Sequence, residues 1–188
     1  MKSGKTLLSD QLHHECGYNH IQTDHLILSL QKAFPSLGVG KRGASFDALC
    51  DAFHPFLDEL LIQLSHDEER KYIVEGFYMR TTDFSNLGTA FHTIFLGYPS
   101  ATVEQKFSQI REHGRNHRCY SNDLPDAYLR EQISEWIEQS KNLAIFCEEL
   151  RLPFFDTNLG FKAAADHLKG IISLTSNLKR DNHERLDQ

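Results

Sequence analysis

Residues 3–17 read Ser3-Gly4-Lys5-Thr6-Leu7-Leu8-Ser9-Asp10-Gln11-Leu12-His13-His14-Glu15-Cys16-Gly17, and this opening decides the fold. Leu7, Leu8 and Leu12 give an apolar face to a helix over Lys5 to Cys16, and Gly17 is the residue type that closes one. The Gly-Lys-Thr tripeptide at the mouth of that helix has a chemistry of its own. Glycine lets backbone N–H groups approach an anion, lysine supplies a point charge, and a helix N-terminus favours negative charge.

Working outward, Tyr18 to Gln22 predicts a short strand, followed by Thr23-Asp24 and a helix, DHLILSLQKAF, that Pro35 and the glycines at 38, 40 and 43 end. Phe46, Leu49, Cys50, Phe53, Leu57, Leu60, Leu61 and Leu64 recur at helical steps, with Pro55 expected to bend that helix. KYIVEG (Lys71 to Gly76) and FHTIFLG (Phe91 to Gly97) have the pattern of buried strands, and Pro153 to Asp156 is a shorter one. Helices are expected near Thr102 to His113, from Pro125 to Leu150, and from Phe161 to Leu174. Strands alternating with helices imply a parallel sheet covered on both faces, with ligands outside the carboxyl ends of its strands. Asp24, Glu75-Gly76, Gly97 and Asp156 fall at those ends.

The 188 residues suit one compact domain, expected over 1–176, with a polar tail at 177–188. A net charge of −6 argues against a broad nucleic-acid-binding surface. The four cysteines at 16, 50, 119 and 147 form no C-x-x-C pair, so reduced and mostly buried thiols are expected. No apolar run reaches the roughly 18 residues that span a bilayer, and Met1-Lys2 leads into no signal-peptide core; the expected location is the cytoplasm. The eleven histidines include His13-His14 and the pair His113 and His117, but no H-E-x-x-H, and no G-x-S-x-G elbow occurs.

The phosphate-loop pattern is G-x-x-x-x-G-K-[ST] between a strand and a helix. Gly4-Lys5-Thr6 supplies its second half, directly before a helix; the first glycine and the feeding strand fall ahead of Met1. The bland alternative is an exposed Gly-Lys-Thr. The helix that follows at once, then a strand ending in Thr-Asp and another ending in Glu-Gly, favour the phosphate loop.

SGKTLLSDQL, with the strand and Thr23-Asp24 behind it, resembles the opening of the P-loop small-molecule and nucleotide kinases: adenylate-kinase-like, gluconate- and shikimate-kinase-like, and zeta-toxin-like. YIVEGFY is similar to their third strand, and RLPFFDTNLGF to the segment near the nucleotide base. The resemblance implies an α/β fold: a three-layer P-loop NTPase-type parallel sheet with helices on both faces and strand order 2-3-1-4-5. Its first, central strand is absent from the chain as given, which makes this an N-terminally truncated form.

It also implies an ATP-dependent phosphotransferase moving the γ-phosphoryl group to a small hydroxyl or phosphate acceptor, with Mg²⁺. Two alternatives stay open: a nucleotide-binding protein without turnover, and a nucleoside monophosphate kinase. Ser3, Gly4, Lys5, Thr6 and Asp156 are the implied nucleotide contacts, and Thr6 and Glu75 the implied metal-side residues. Asp24 is a general base or a ligand of Mg²⁺ water, or else a plain helix cap. Glu75 stands where a Walker-B strand usually carries aspartate; its alternative is a structural hydrogen bond. Lys106, Arg111, Arg115 and Arg118 crowd a segment expected to form a lid near 102–122, with Arg111 or Arg115 on the transferring group. A solvated basic face balanced by Glu104 and Glu112 is the alternative. Gly38 to Gly43, with Lys41 and Arg42, would suit an anionic acceptor.

Overall fold

The chain was analysed as a computed structural model that describes residues 3–67, 69–84, 91–116, 120–160 and 162–171. Helix α1 spans Lys5–Cys16, opened by Gly4 at φ 81° and closed by Gly17 at φ 71°, both left-handed. Leu8 and Leu12 share its buried face, each 3% exposed. Leu7, expected on that face, points outward, because it lies about 100° round the helix from Leu8.

Strand β1 (Asn19–Gln22) leads into helix α2 (Thr23–Ala33), and helix α3 (Phe46–Ser65) precedes strand β2 (Tyr72–Glu75). Ser45 caps α3 by accepting the Ala48 N–H, and the helix continues through Pro55. Strand β3 (Phe95–Gly97), helix α4 (Val103–Asn116), helix α5 (Asp126–Glu149) and strand β4 (Phe154–Asp156) follow. A last helix, α6, covers 162–171. Arg118 and Cys119, the end of the helix expected to Leu174 and the tail from Asn177 lie outside the described residues.

The strands form two parallel pairs. β1 runs with β2, from Asn19 opposite Tyr72 to Gln22 opposite Glu75. β3 runs with β4, from Phe95 opposite Phe154 to Gly97 opposite Asp156. The fold is therefore mixed α/β, mostly helical, with two small parallel sheets.

Alternation along the strands shows how helices cover them. Ile73, Leu96 and Phe155 pack in one cluster with Leu8 and Leu12 of α1 and Ala164 and Ala165 of α6. Val74 faces the other way, into a cluster with Ile27 of α2 and Phe53, Leu57 and Leu61 of α3. A Cβ on Gly97 would meet Phe154 at 2.8 Å and Ser140 of α5 at 3.2 Å, so glycine lets α5 close down on the β3–β4 pair. A third cluster joins α4 to α5 through Ile110, Leu129, Ile133, Trp136 and Ile137, around the fully buried Tyr98. Burying side chains of this size contributes about 1.5–3 kcal/mol each.

Candidate functional site

The carboxyl ends of β1 and β2 and the start of α1 converge. Thr6 Oγ1 donates to Glu75 Oε1 at 2.7 Å, tying the first turn of α1 to the last residue of β2. His20 Nε2 lies 3.6 Å from the same carboxylate oxygen, while its Nδ1 is 3.0 Å from Asp10 Oδ1. Both His20 and Glu75 are largely buried. Among the described residues, Ser3 Oγ and Thr23 Oγ1 are hydroxyls of wholly buried side chains with no hydrogen-bond partner, and His20 Nε2 has none within hydrogen-bond distance. Buried polar atoms are nearly always paired in folded proteins.

The backbone is shaped for close approach here. Gly4 adopts the left-handed conformation at the start of α1 and provides no side-chain cap for its first N–H groups. Gly76 follows Glu75, and a Cβ on it would lie 1.8 Å from Thr23 Oγ1. Only glycine lets the chain turn off β2 that tightly.

Compared with known proteins, the chain matches no protein-family model and no curated protein. Its chemistry has to be read from the geometry.

Four of the expected nucleotide and metal residues lie together at this point: Ser3, Gly4 and Thr6 at the helix mouth and Glu75 opposite. Lys5, between them, lines the large cavity beside β2. Asp24 stands two residues after Gln22, the register partner of Glu75. It is exposed, and the cap position of α2 belongs to Gln22 with no side-chain bond, so capping is not what Asp24 does. Burial holds the Tyr78 phenol above its usual range, and the charge of Asp24 adds to that shift.

The remaining expected residues are placed elsewhere. Asp156 Oδ2 accepts the Ser100 N–H at 3.1 Å and its Oδ1 the Asn158 N–H at 2.9 Å, which caps the turn after β4. Arg111 donates to the carbonyls of Ser121, Asn122 and Leu124 and to Asp126 at 2.6 Å. Its guanidinium thereby ties α4 to the entry of α5. Arg115 is exposed in the last turn of α4. Lys106 is buried over the Tyr98 ring, 4.1 Å from its centroid; burial pulls its ammonium down to about 8, against the opposing charge of Asp156.

The Asp10–His20 bond and the nearness of His20 to Glu75 left no signal in the sequence. Asp10 sits on α1 and His20 on β1, and nothing in their spacing says that a helix-strand packing will bring them together. Nor does the sequence signal Arg80, which pairs with Asp51 at 2.8 Å and Asp83 at 3.1 Å.

A divalent cation would meet compatible donors at Thr6 and Glu75. A hydroxyl that gives its proton to a carboxylate turns its lone pairs outward, and Mg²⁺ is commonly held by one or two such groups while keeping several waters. Among the described residues no group of three or more His, Cys, Asp or Glu side chains converges on a metal-sized site.

Proposed function

We propose that this chain binds a nucleoside triphosphate with Mg²⁺ at the mouth of α1 and belongs to a P-loop phosphotransferase that moves a phosphoryl group to a small acceptor. The observation that carries the reading is the Thr6–Glu75 bond at 2.7 Å beside the left-handed Gly4. It joins a helix N-terminus, a hydroxyl and a carboxylate, the three features a metal–phosphate pair needs. The accompanying fold reading is a three-layer P-loop-type sheet, supported by the parallel pairing and by helices packed on both sides of the strands.

In this reading the bound nucleotide supplies the transferable phosphoryl group. Lys5 donates to phosphate oxygens, Thr6 and Glu75 orient the ion and its waters, and Ser3 contributes its buried hydroxyl. Asp24, exposed next to the same strand ends, accepts the proton of the acceptor hydroxyl. Arg115 closes from α4 and neutralises charge during transfer; Arg111 would first have to give up its three carbonyls.

Binding without turnover is the second reading, and the engagement of Arg111 favours it. Calorimetric titration with ATP, with and without Mg²⁺, separates the cases when paired with a phosphoryl-transfer assay over nucleoside monophosphates, sugar acids and small alcohols. Transfer to any acceptor supports the kinase, and Mg²⁺-dependent affinity without transfer supports the binding protein. Lys5→Ala is expected to weaken ATP binding by about 1.5–3 kcal/mol. Unchanged affinity in that variant, or no ATP binding at all, overturns the proposal.

A further inference from the structure

The face of β1 and β2 that turns toward α1 carries a histidine and a carboxylate. His20 stands opposite Ile73 in the parallel register, and Ile73 packs against α1. Glu75, two residues on, returns to the same face. Thr6 and Asp10, one helical turn apart on α1, meet them: Asp10 takes His20 and Thr6 takes Glu75.

The Asp10 contact fixes the roles of the two ring nitrogens. A carboxylate only accepts, so His20 Nδ1 carries the hydrogen in the 3.0 Å bond to Asp10 Oδ1. In the neutral ring Nε2 then presents a lone pair, and Glu75 Oε1 lies 3.6 Å from it. Nε2 is buried without a hydrogen-bond partner, in a side chain 9% exposed. The separation exceeds the reach of an N–H···O bond, about 3.2 Å, so a proton on Nε2 does not satisfy the pair. Two donors on one zinc-type ion, each about 2.0–2.2 Å from it, stand roughly 3.4 Å apart in tetrahedral geometry. Neighbouring donors of octahedral Mg²⁺ stand closer, at roughly 3 Å.

His54 is the same arrangement with its cation supplied. Its Nδ1 bonds Asp58 at 2.8 Å, and its Nε2 lies 3.7 Å from Asp83 Oδ1. There Arg80 brings a guanidinium to that oxygen, at 3.1 Å. Among the described residues no lysine or arginine pairs with Glu75, whose side chain is 11% exposed. A carboxylate buried to that degree calls for a cation.

Both donors already have the outer partners that metal ligands have. A ligating imidazole gives its other N–H to a carboxylate, as His20 does to Asp10. A ligating carboxylate is itself hydrogen-bonded, as Glu75 is by Thr6. Imidazole selects ions of the zinc class over magnesium. Thr6 and Asp10 are exposed, which gives an ion its way in.

We propose that His20 Nε2 and Glu75 are the protein donors of a binding site for a zinc-class divalent cation. Two such donors, against the usual three or four of tighter zinc sites, leave the other positions to water and make the ion exchangeable. This inference does not rest on nucleotide binding, and no readout below contains a nucleotide, so the two proposals fail separately.

The test titrates the metal-stripped 188-residue chain with zinc chloride alone, followed by calorimetry and by ring-nitrogen NMR of labelled histidine. The His20 Nε2 resonance, assigned with His20→Gln, should move on adding zinc. Asp10→Asn should weaken zinc binding by roughly 10- to 100-fold, and Glu75→Gln by more than that. Asp10 is half exposed, so its variant tests the proposal even where a change at a buried ligand prevents folding. His54→Gln should leave the His20 response unchanged, and magnesium should bind at least about 100-fold more weakly than zinc. The proposal is overturned if His20 Nε2 does not respond, if Asp10→Asn and Glu75→Gln bind zinc as the parent chain does, or if magnesium competes on equal terms. A proton on Nε2 that persists in saturating zinc would assign the contact to an imidazolium–carboxylate pair and overturn it too.

Discussion

The Thr6 hydroxyl and the Glu75 carboxylate, 69 positions apart in the chain, meet at 2.7 Å and lock the first turn of α1 onto the end of β2. The contact makes the helix mouth a fixed platform, and it separates a metal role from a packing role by experiment. Thr6→Val keeps the shape and removes the donor. If Thr6 holds the ion, ATP affinity in Mg²⁺ drops by on the order of 10- to 100-fold while affinity in chelator stays the same. Thr6→Ser should restore it. Equal losses in both conditions would reduce the bond to packing.

Gly76 sits against Thr23 with no room for a side chain. Gly76→Ala should destabilise the protein by about 1–3 kcal/mol, through overpacking. Adding Thr23→Ala removes the hydroxyl that the new Cβ would strike, so the double variant should recover part of the loss. Thermal unfolding of the four-member cycle gives the coupling, and strict additivity would show that the two sites do not touch.

Lys106 links burial to pH. Its folded-state value, lowered to about 8, lies below the ordinary 10.5, so between those limits the unfolded chain binds more protons than the folded one. Stability contributed by this group therefore rises from about pH 8 to pH 10.5 and is lowest below that window. Lys106→Met should abolish that slope in urea melts recorded across the window. At neutral pH it relieves the cost of burying the charge but forfeits the cation–π contact with Tyr98, about 0.5–2 kcal/mol. A slope that persists in the variant would assign it to other groups.

Arg80 braces the start of α3 against the segment after β2. It reaches Asp51 and Asp83, and Asp83 is only 7% exposed in its side chain. Arg80→Ala should cost about 1–3 kcal/mol, mostly from leaving the Asp83 carboxylate short of partners. Arg80→Lys should recover little, because an ammonium lacks the planar fork whose separate nitrogens reach Asp51 and Asp83. Full recovery in a denaturant titration would mean that charge alone matters.

Helix boundaries were legible where local chemistry sets them: α1 runs over the residues its leucines and Gly17 mark, and α3 starts at Phe46, the first of the apolar residues that recur at helical steps. Strand lengths were not. FHTIFLG pairs only from Phe95, because a ladder extends no further than its partner and β4 begins at Phe154 after the turn around Arg151, at φ 54°. Phe91 to Ile94 instead line the cavity. In the candidate site, residues adjacent in sequence (Ser3 to Thr6) or standing at strand ends (Glu75) could be grouped in advance, because parallel strands collect their carboxyl ends at one place. The assignment of Arg111 could not, since basic spacing along a helix names a face but not the carbonyls of Ser121, Asn122 and Leu124 that will occupy it. His20 escaped for the same reason: only the packing of α1 on β1 creates its neighbours.

The glycine-rich segment between α2 and α3 has a buried pin. Val39 is 2% exposed in the cluster with Ile27 and Phe53, and the Gln31 amide donates to the Gly40 carbonyl at 2.7 Å. The segment is thus pinned at its middle, and the side chains of Lys41 and Arg42 stand clear of it. Any anion captured there would be met by two swivelling arms on a fixed bracket, with reach set by side-chain length alone.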